Sequence, residues 1–425
     1  MNSIVRIFNH RFYVKEVLVL FFLFLMMENI FNWIFIRNSV IIEAYTKILS
    51  ILIYGFMLYS INNLKRNERI VVGIFTLFMV KLVLESLTKY DTIFRQLTMF
   101  IVLFPIIYVF FIKYILRVFE LDLLEFMAKF YLLTYTIFML LFGRGFSFSL
   151  ELVDMDDYGP FSGDSRIMHA SHVFMMIVPF LWYLNQYFHQ RKNKYLIPFL
   201  ICVVVIILHQ HRSVWSSTLV SLFLYLFMAS RNRWITLSKT AGLFMGGVGI
   251  AFITIFFVSN LVPGFLDFLS DRFSEIFDPT REGSTGNFRT EQRVVYSAMF
   301  LDRPIFGWTF EGFEMENPLV DWWPSGTGQH FHEGYIEMLF YHGIAGLLMK
   351  YGVLLYFCFK ALSKKLSEES IMLIAFCMAG LVFSFNYVLP LVFWAFVGMC
   401  LYYLDKDKEV EADVIDYEMV EPDRQ

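Results

Sequence analysis

Apolar runs, each about 20 residues long and repeatedly interrupted by basic clusters, constrain this chain more than any other feature. Read along the sequence they fall at 16–36, 39–61, 69–88, 96–116, 122–142, 168–188, 194–210, 212–230, 240–261, 334–359, 369–388 and 389–404. About 20 apolar residues in a helix cross the hydrocarbon core of a bilayer. The expected fold is therefore all-α: a polytopic membrane protein of about 12 transmembrane helices. Composition agrees, with 58% hydrophobic residues and 51 phenylalanines in 425 residues and a mean hydropathy of +0.58. That usage lies well outside the range of soluble domains. The first apolar run follows Arg6, Arg11 and Lys15 but continues to about Ile36 with no small-residue cleavage site, so it reads as a retained helix.

Basic residues orient the spans. Clusters stand at the N-terminus, at NLKRNER (63–69), at Lys113 and Arg117, at QRKNK (190–194), at SRNRWITLSK (230–239), at KALSKK (360–365) and at DKDK (405–408). With twelve spans and a cytoplasmic N-terminus, every cluster falls on the cytoplasmic side, as the positive-inside rule requires. Residues 1–404 then form one transmembrane domain, and 405–425 is an acidic cytoplasmic tail expected to be disordered. Two outer loops are long: 143–167, which is acidic, and 262–333 between the ninth and tenth helices, rich in Gly, Pro, Trp and charge. The four cysteines lie inside apolar runs without metal-type spacing and read as packing residues.

This topology delivers a set of polar side chains to one membrane surface. Arg212, in LHQHRSVWSS, begins the eighth helix, where an arginine at the membrane boundary is costly without a partner. Arg289 and Arg293 are four residues apart on an expected loop helix, hence on one face. Arg166 opens the sixth helix. His330, His332 and Glu333 stand where the long loop meets the tenth helix, and a continuous helix would place Gly343 and Gly346 in a stripe beneath His332. Guanidinium groups hold paired oxygens and never lose their charge, which suits a diphosphate. A histidine is the side chain best suited to remove a proton from an attacking hydroxyl. Charges also occur within the spans: Lys81 and Glu85 one turn apart, with Glu28 and Glu43 elsewhere, expected to pair inside the bundle or line a cavity. The acidic stretch 151–164 lacks the spacing and glycine of a calcium loop and reads as solvated, so neither metal nor cofactor is expected.

The residues His332-Glu333, nine positions, Gly343, two positions, Gly346 resemble the H-[NSQ]-x9-G-x-x-G signature of bacterial O-antigen ligases. FRTEQRVVYSAMFLDRPIFGW (288–308) is similar to the arginine, helix and PLFG-type turn of that superfamily, and HRSVW (211–215) to its arginine-bearing helix start. The resemblance implies a GT-C-type glycosyltransferase that moves a glycan from an undecaprenyl-diphosphate carrier to an acceptor hydroxyl on the outer face of the bacterial inner membrane. It implies Arg212 and Arg289 on the diphosphate, Arg293, Arg166 and His330 in support, and His332 as base with Glu333 as substitute. The reaction would be inverting and independent of metal, with the carrier-linked oligosaccharide, a glycan acceptor and membrane lipid as partners, alongside a flippase and a chain-length regulator. Glu333 replaces the amide or hydroxyl usual in ligases, which favours an O-antigen, capsule or exopolysaccharide polymerase over a ligase. A polysaccharide transporter or a noncatalytic scaffold are the readings from other classes. One-sided arginines and the lack of an internal repeat weigh against transport.

Overall fold

A computed structural model describes residues 4–7, 10–23, 25–93, 96–141, 168–209, 211–232, 285–321, 328–329, 331–363 and 366–420, with scattered positions between 242 and 274. Of the expected spans, 240–261 lies mostly outside the described residues, as does the loop 143–167. The described chain is almost wholly helical. Its fifteen α-helices include six long and apolar enough to cross a membrane: Val40–Tyr59, Arg66–Tyr90, Val102–Phe119, Leu124–Leu141, Arg212–Arg231 and Gly334–Lys360. This is an all-α, polytopic membrane protein.

The helices are α1 (Val14–Leu23), α2 (Asn29–Ile36), α3 (Ser39–Tyr59), α4 (Arg66–Tyr90), α5 (Gln96–Phe119), α6 (Leu124–Leu141), α7 (Ala170–Val173), α8 (Ile177–Gln190), α9 (Asn193–Leu208), α10 (Arg212–Arg231), α11 (Thr285–Asp302), α12 (Thr309–Glu314), α13 (Gly334–Lys360), α14 (Glu368–Phe383) and α15 (Leu391–Val420). A two-stranded antiparallel hairpin, Ile4–Ile7 with His10–Tyr13, precedes them and pairs Arg6 with Arg11. It is a local addition to the expected fold.

Three expected spans take a different form. The first is interrupted: Glu28 leaves the helix, and its carboxylate accepts the Phe31 N–H at 2.6 Å as the N-cap of α2. A short acceptor beside free N–H groups offers the backbone an alternative to continuing the helix. The sixth is built from α7, a 3-10 turn at Phe174–Met176 and α8. The last does not stop at 404, because α15 continues to Val420 through the acidic stretch expected to be disordered.

The core is aromatic. The most extensive helix pairings are α10 with α14 and α5 with α15. Phe104, Phe111 and Tyr108 from α5, Phe376 from α14 and Phe393, Trp394 and Phe396 from α15 are all buried. Phe376 meets Phe393 at 5.4 Å and Phe396 at 5.5 Å between ring centroids. In lipid such contacts stabilise through dispersion and close packing, since apolar surface gains little by leaving a hydrocarbon solvent. Cys202, Cys377 and Cys400 are buried and all four cysteines are free thiols, as packing residues should be.

One end of the bundle collects basic residues. Glu68 is 1% exposed and accepts Arg117 at 3.0 and 3.1 Å and Lys113 at 3.2 Å. Lys113 also reaches Asp405 at 2.9 Å, and Lys65 reaches the same carboxylate at 3.2 Å. The structure thus brings together cations from two of the clusters with a carboxylate from a third. Asp405 lies 14 residues along α15 from its start, about 20 Å of helix, so the connection Ser384–Pro390 before α15 lies at the other end. That other end also carries α11, α12 and the start of α13.

Candidate active site at the loop end

Helix α11 carries both loop arginines on one face, and they take different partners. Arg293 makes a two-pronged ion pair with Glu333, Nε to Oε2 at 3.0 Å and Nη2 to Oε1 at 2.6 Å. Its Nη2 also points to the Phe385 carbonyl at 3.4 Å. Arg289 lies over the Tyr387 ring, 5.1 Å from its centroid, and its buried Nε–H has no acceptor among the described residues. A cation resting on an aromatic face keeps its N–H fork available to a second partner.

Glu333 is the N-cap of α13 and only 2% exposed. Burial pushes its carboxyl above the ordinary carboxylate range, and the charges of Arg293 and Arg289 pull it part of the way back. His332 precedes it. The His332 N–H donates to the Gln292 side chain at 3.4 Å, and the ring meets Phe288 edge-on at 5.5 Å, so α11 holds the histidine from both sides. Arg289, Arg293, His332 and Glu333 therefore share one site. Of the remaining expected site residues, Arg166 and His330 lie outside the described residues.

Arg212 starts α10, as its position after a short connection predicted. Contacts of neighbouring residues lead from the start of α10 toward the site: the ring of His211 bonds the Met168 carbonyl at 2.8 Å, and the adjoining His169 ring stands perpendicular to Tyr387 at 5.3 Å. Tyr387 thus touches both Arg289 and the start of α7. It lies in the turn between α14 and α15, within the expected span 369–388, which as a helix ends at Phe383. The turn is bound to the site by the Gly334 N–H donating to the Ser384 carbonyl at 3.1 Å and the Ser171 hydroxyl donating to the Val388 carbonyl at 3.1 Å. The sequence FNY (385–387), with a polar residue near the end of the apolar run 369–388, is its signal.

The glycine stripe beneath His332 is corrected. Gly343 is not on a continuous helical face: it has φ +61° and ψ −161° and breaks α13. The turn at Arg303–Trp308 inserts into the break. Ile344 and Ala345 donate their N–H groups to the carbonyls of Pro304 and Ile305 at 2.9 and 3.1 Å, and Trp308 donates to the Phe340 carbonyl at 2.8 Å. Backbone polar groups freed by a break at membrane depth need such partners. A Cβ on Gly343 would stand 2.5 Å from the Ile305 carbonyl, and one on Gly307, at φ +67°, 2.5 Å from that of Phe340. Both glycines serve a backbone-to-backbone contact between the loop and the membrane helix. Across the break, Glu337 and Lys350 approach to 3.8 Å, although 13 residues of unbroken helix would separate them by about 20 Å. His342, buried at the break, faces Phe78 edge-on.

The charges expected within the spans are largely engaged. Lys81 pairs with Glu85 at 3.0 Å, and Glu85 accepts the Thr309 hydroxyl at 2.7 Å, so α4 latches the loop helix α12. Lys89 and Arg303 add ion pairs to Glu311. Hydrogen bonding from Lys89 holds the Glu311 carboxyl below its usual range. Glu43 pairs with Lys47 on an exposed stretch of α3 instead of inside the bundle. Glu28 is buried, with Tyr135 nearby at 3.5 Å. Among the described residues no group of three or more His, Cys, Asp or Glu side chains has the arrangement to hold a metal ion.

Residues 197–350 match the family model described as O-antigen ligase. This segment is similar to the O-antigen ligase family. A search of curated proteins finds no match. The ligase-family domain contains Arg212, Arg289, Arg293, His332, Glu333 and the break at Gly343, so its boundaries enclose the cations, the histidine and the inserted turn together. Tyr387 and His169 lie outside it; Tyr387 touches its Arg289, and His169 touches Tyr387. The match assigns the domain to membrane glycan processing of the O-antigen ligase and polymerase type.

Proposed function

We propose that this protein transfers a glycan from an undecaprenyl-diphosphate carrier to an acceptor hydroxyl, extending a cell-surface polysaccharide on the outer face of the bacterial inner membrane. The observation that carries this reading is Arg289: a guanidinium laid on an aromatic ring within the ligase-family domain, beside His332, with a buried N–H lacking an acceptor among the described residues. A phosphate oxygen is the acceptor that fits it.

The steps balance as a single displacement. The acceptor oxygen attacks the anomeric carbon opposite the diphosphate, the carbon–oxygen bond to the diphosphate breaks, and the configuration inverts. Arg289 and Arg212 meet the charge that develops on the leaving group, the role a divalent cation would otherwise fill. The acceptor proton passes to the His332 ring. Arg293 is committed to Glu333, so this pair orients the loop end of α13 and keeps Glu333 from competing for the proton. Arg166 and His330 remain candidates for further contacts with the donor.

Polymerisation is the first reading, because Glu333 stands where ligases carry an amide or hydroxyl. Ligation of the glycan to a lipid acceptor is the second, favoured by the description of the matching family. The glycan profile of a deletion strain separates them: a lost polymerase leaves a single repeat unit on its anchor, and a lost ligase leaves long chains on the carrier. Purified protein supplied with the carrier-linked glycan should release undecaprenyl diphosphate as glycan is transferred, and Arg289→Lys should lose most of that turnover. Normal turnover by the lysine variant at normal protein levels would defeat the guanidinium role.

A further inference from the structure

Beside the two arginines, the turn between α14 and α15 presents three side chains that the reaction as described leaves unused. Phe385 is 56% exposed, with its carbonyl 3.4 Å from Arg293 and its ring 4.8 Å from Tyr335. Asn386 is half-buried, and its side-chain amide makes no hydrogen bond among the described residues. Tyr387 has Arg289 5.1 Å from its ring centroid, Phe383 stacked on it at 5.3 Å and the His169 ring perpendicular to it at 5.3 Å. What Tyr387 still offers is its hydroxyl.

We propose that Phe385, Asn386 and Tyr387 form the subsite for the first sugar of the donor. The inference rests on the reading that Arg289 holds the donor diphosphate. The sugar is bonded directly to that diphosphate, so it must lie against whatever flanks the guanidinium. On the side of the α14–α15 turn, Tyr387 touches Arg289 and the Phe385 carbonyl faces Arg293, with Asn386 between them in sequence. Their chemistry is that of a pyranose site: an apolar ring for the C–H face of the sugar, and an amide and a phenol for its hydroxyls. An amide supplies donor and acceptor together, which discriminates one hydroxyl arrangement from another by whether both are matched. The three residues lie beyond the ligase-family domain, which ends at 350. Diphosphate binding and sugar choice therefore reside in different segments of the chain.

The test is binding to wild-type protein in nanodiscs of sugar-free undecaprenyl diphosphate and of undecaprenyl diphosphates carrying one hexose or one N-acetylhexosamine. Wild type should bind at least one sugar-bearing lipid about tenfold more tightly than the sugar-free one. Asn386→Ala and Tyr387→Phe should each reduce that preference about fivefold, the scale of one hydrogen bond. Tyr387→Phe keeps the ring under Arg289, so binding of the sugar-free lipid should stay unchanged and also serves as the control for folding. Phe385→Ala should likewise lower only sugar-bearing affinity. The proposal is overturned if the preference survives in all three variants. It is also overturned if every lipid loses affinity equally, which would make the turn a membrane anchor. Equal binding of sugar-free and sugar-bearing lipids by wild type would remove the subsite and leave the diphosphate reading standing. Failure of wild type to bind any of the lipids would remove that reading, and the subsite with it.

Discussion

Arg289 and Arg293 are one helical turn apart, yet their environments assign them opposite tasks. Arg293 is neutralised by a buried carboxylate, whereas Arg289 rests on an uncharged ring and keeps an open donor. His332 is the remaining group placed to take a proton, so His332→Ala and His332→Gln should both bind the donor and lose turnover by about 10²–10⁴. Substantial turnover by the glutamine variant, which cannot accept a proton at neutral pH, would leave His332 an orienting role only. Glu333 gives a second prediction with a definite sign. Its carboxyl is held above the ordinary range by burial, so the folded state binds its proton more tightly than the unfolded state does. Its contribution is then fullest below the ordinary carboxylate range and is lost as pH rises through the raised value. Glu333→Gln cannot ionise. Its melting temperature relative to wild type should therefore be more favourable near pH 8 than near pH 4. The opposite trend would show that the Arg293 pair outweighs the cost of burial.

At the scale of the element, α13 shows how a loop is locked to a membrane helix. The break at Gly343 exposes two N–H groups and one carbonyl, and the Arg303–Trp308 turn satisfies them with its own backbone. Gly343 and Gly307 are thus steric requirements: each combines a positive φ with a backbone approach too close for a Cβ. Gly343→Ala should destabilise the protein by roughly 1–3 kcal/mol from backbone strain alone, with the clash against the Ile305 carbonyl adding to it. Gly352, later in the same helix, has open space where a methyl group would stand, with no neighbouring atom within 4 Å. Gly352→Ala should be neutral or stabilise by roughly 0.5–1 kcal/mol. Thermal unfolding in one detergent checks the pair, and equal effects would refute the inserted-turn account. Because the turn continues α11, the element that holds Arg289 and His332, loss of the lock should also reduce turnover.

At the scale of the molecule, both ends of the bundle carry cations paired with carboxylates. One end joins Lys65, Lys113 and Arg117 to Glu68 and Asp405; the other holds the site and the loop helices. If the site end faces outward, a cysteine at Glu316 should react with a membrane-impermeant maleimide in intact cells, and one at Lys408 only after lysis. Reversed labelling would place the site in the cytoplasm and end the proposed role in surface polysaccharide assembly.

The membrane fold, the paired arginines on α11, the start of α10 at Arg212 and the place of His332 before α13 were legible in the sequence. Each depends on local quantities: run length, helical spacing and a polar residue beside an apolar run. The broken first and sixth spans were not legible, because Glu28 ends a helix only through a backbone contact that hydropathy does not record. Nor was the meaning of Gly343, since glycine at helical spacing reads equally well as a contact stripe or a break. Only the arrival of residues 303–308, far back along the chain, decides between them. The division of labour between Arg289 and Arg293 has the same origin. Sequence determined that two guanidinium groups share a face, but which is neutralised depends on what packs opposite, a carboxylate from the cap of α13 for one and a tyrosine from beyond α14 for the other. Long-range partners carry no local signal, and here they set the charge that remains for a substrate.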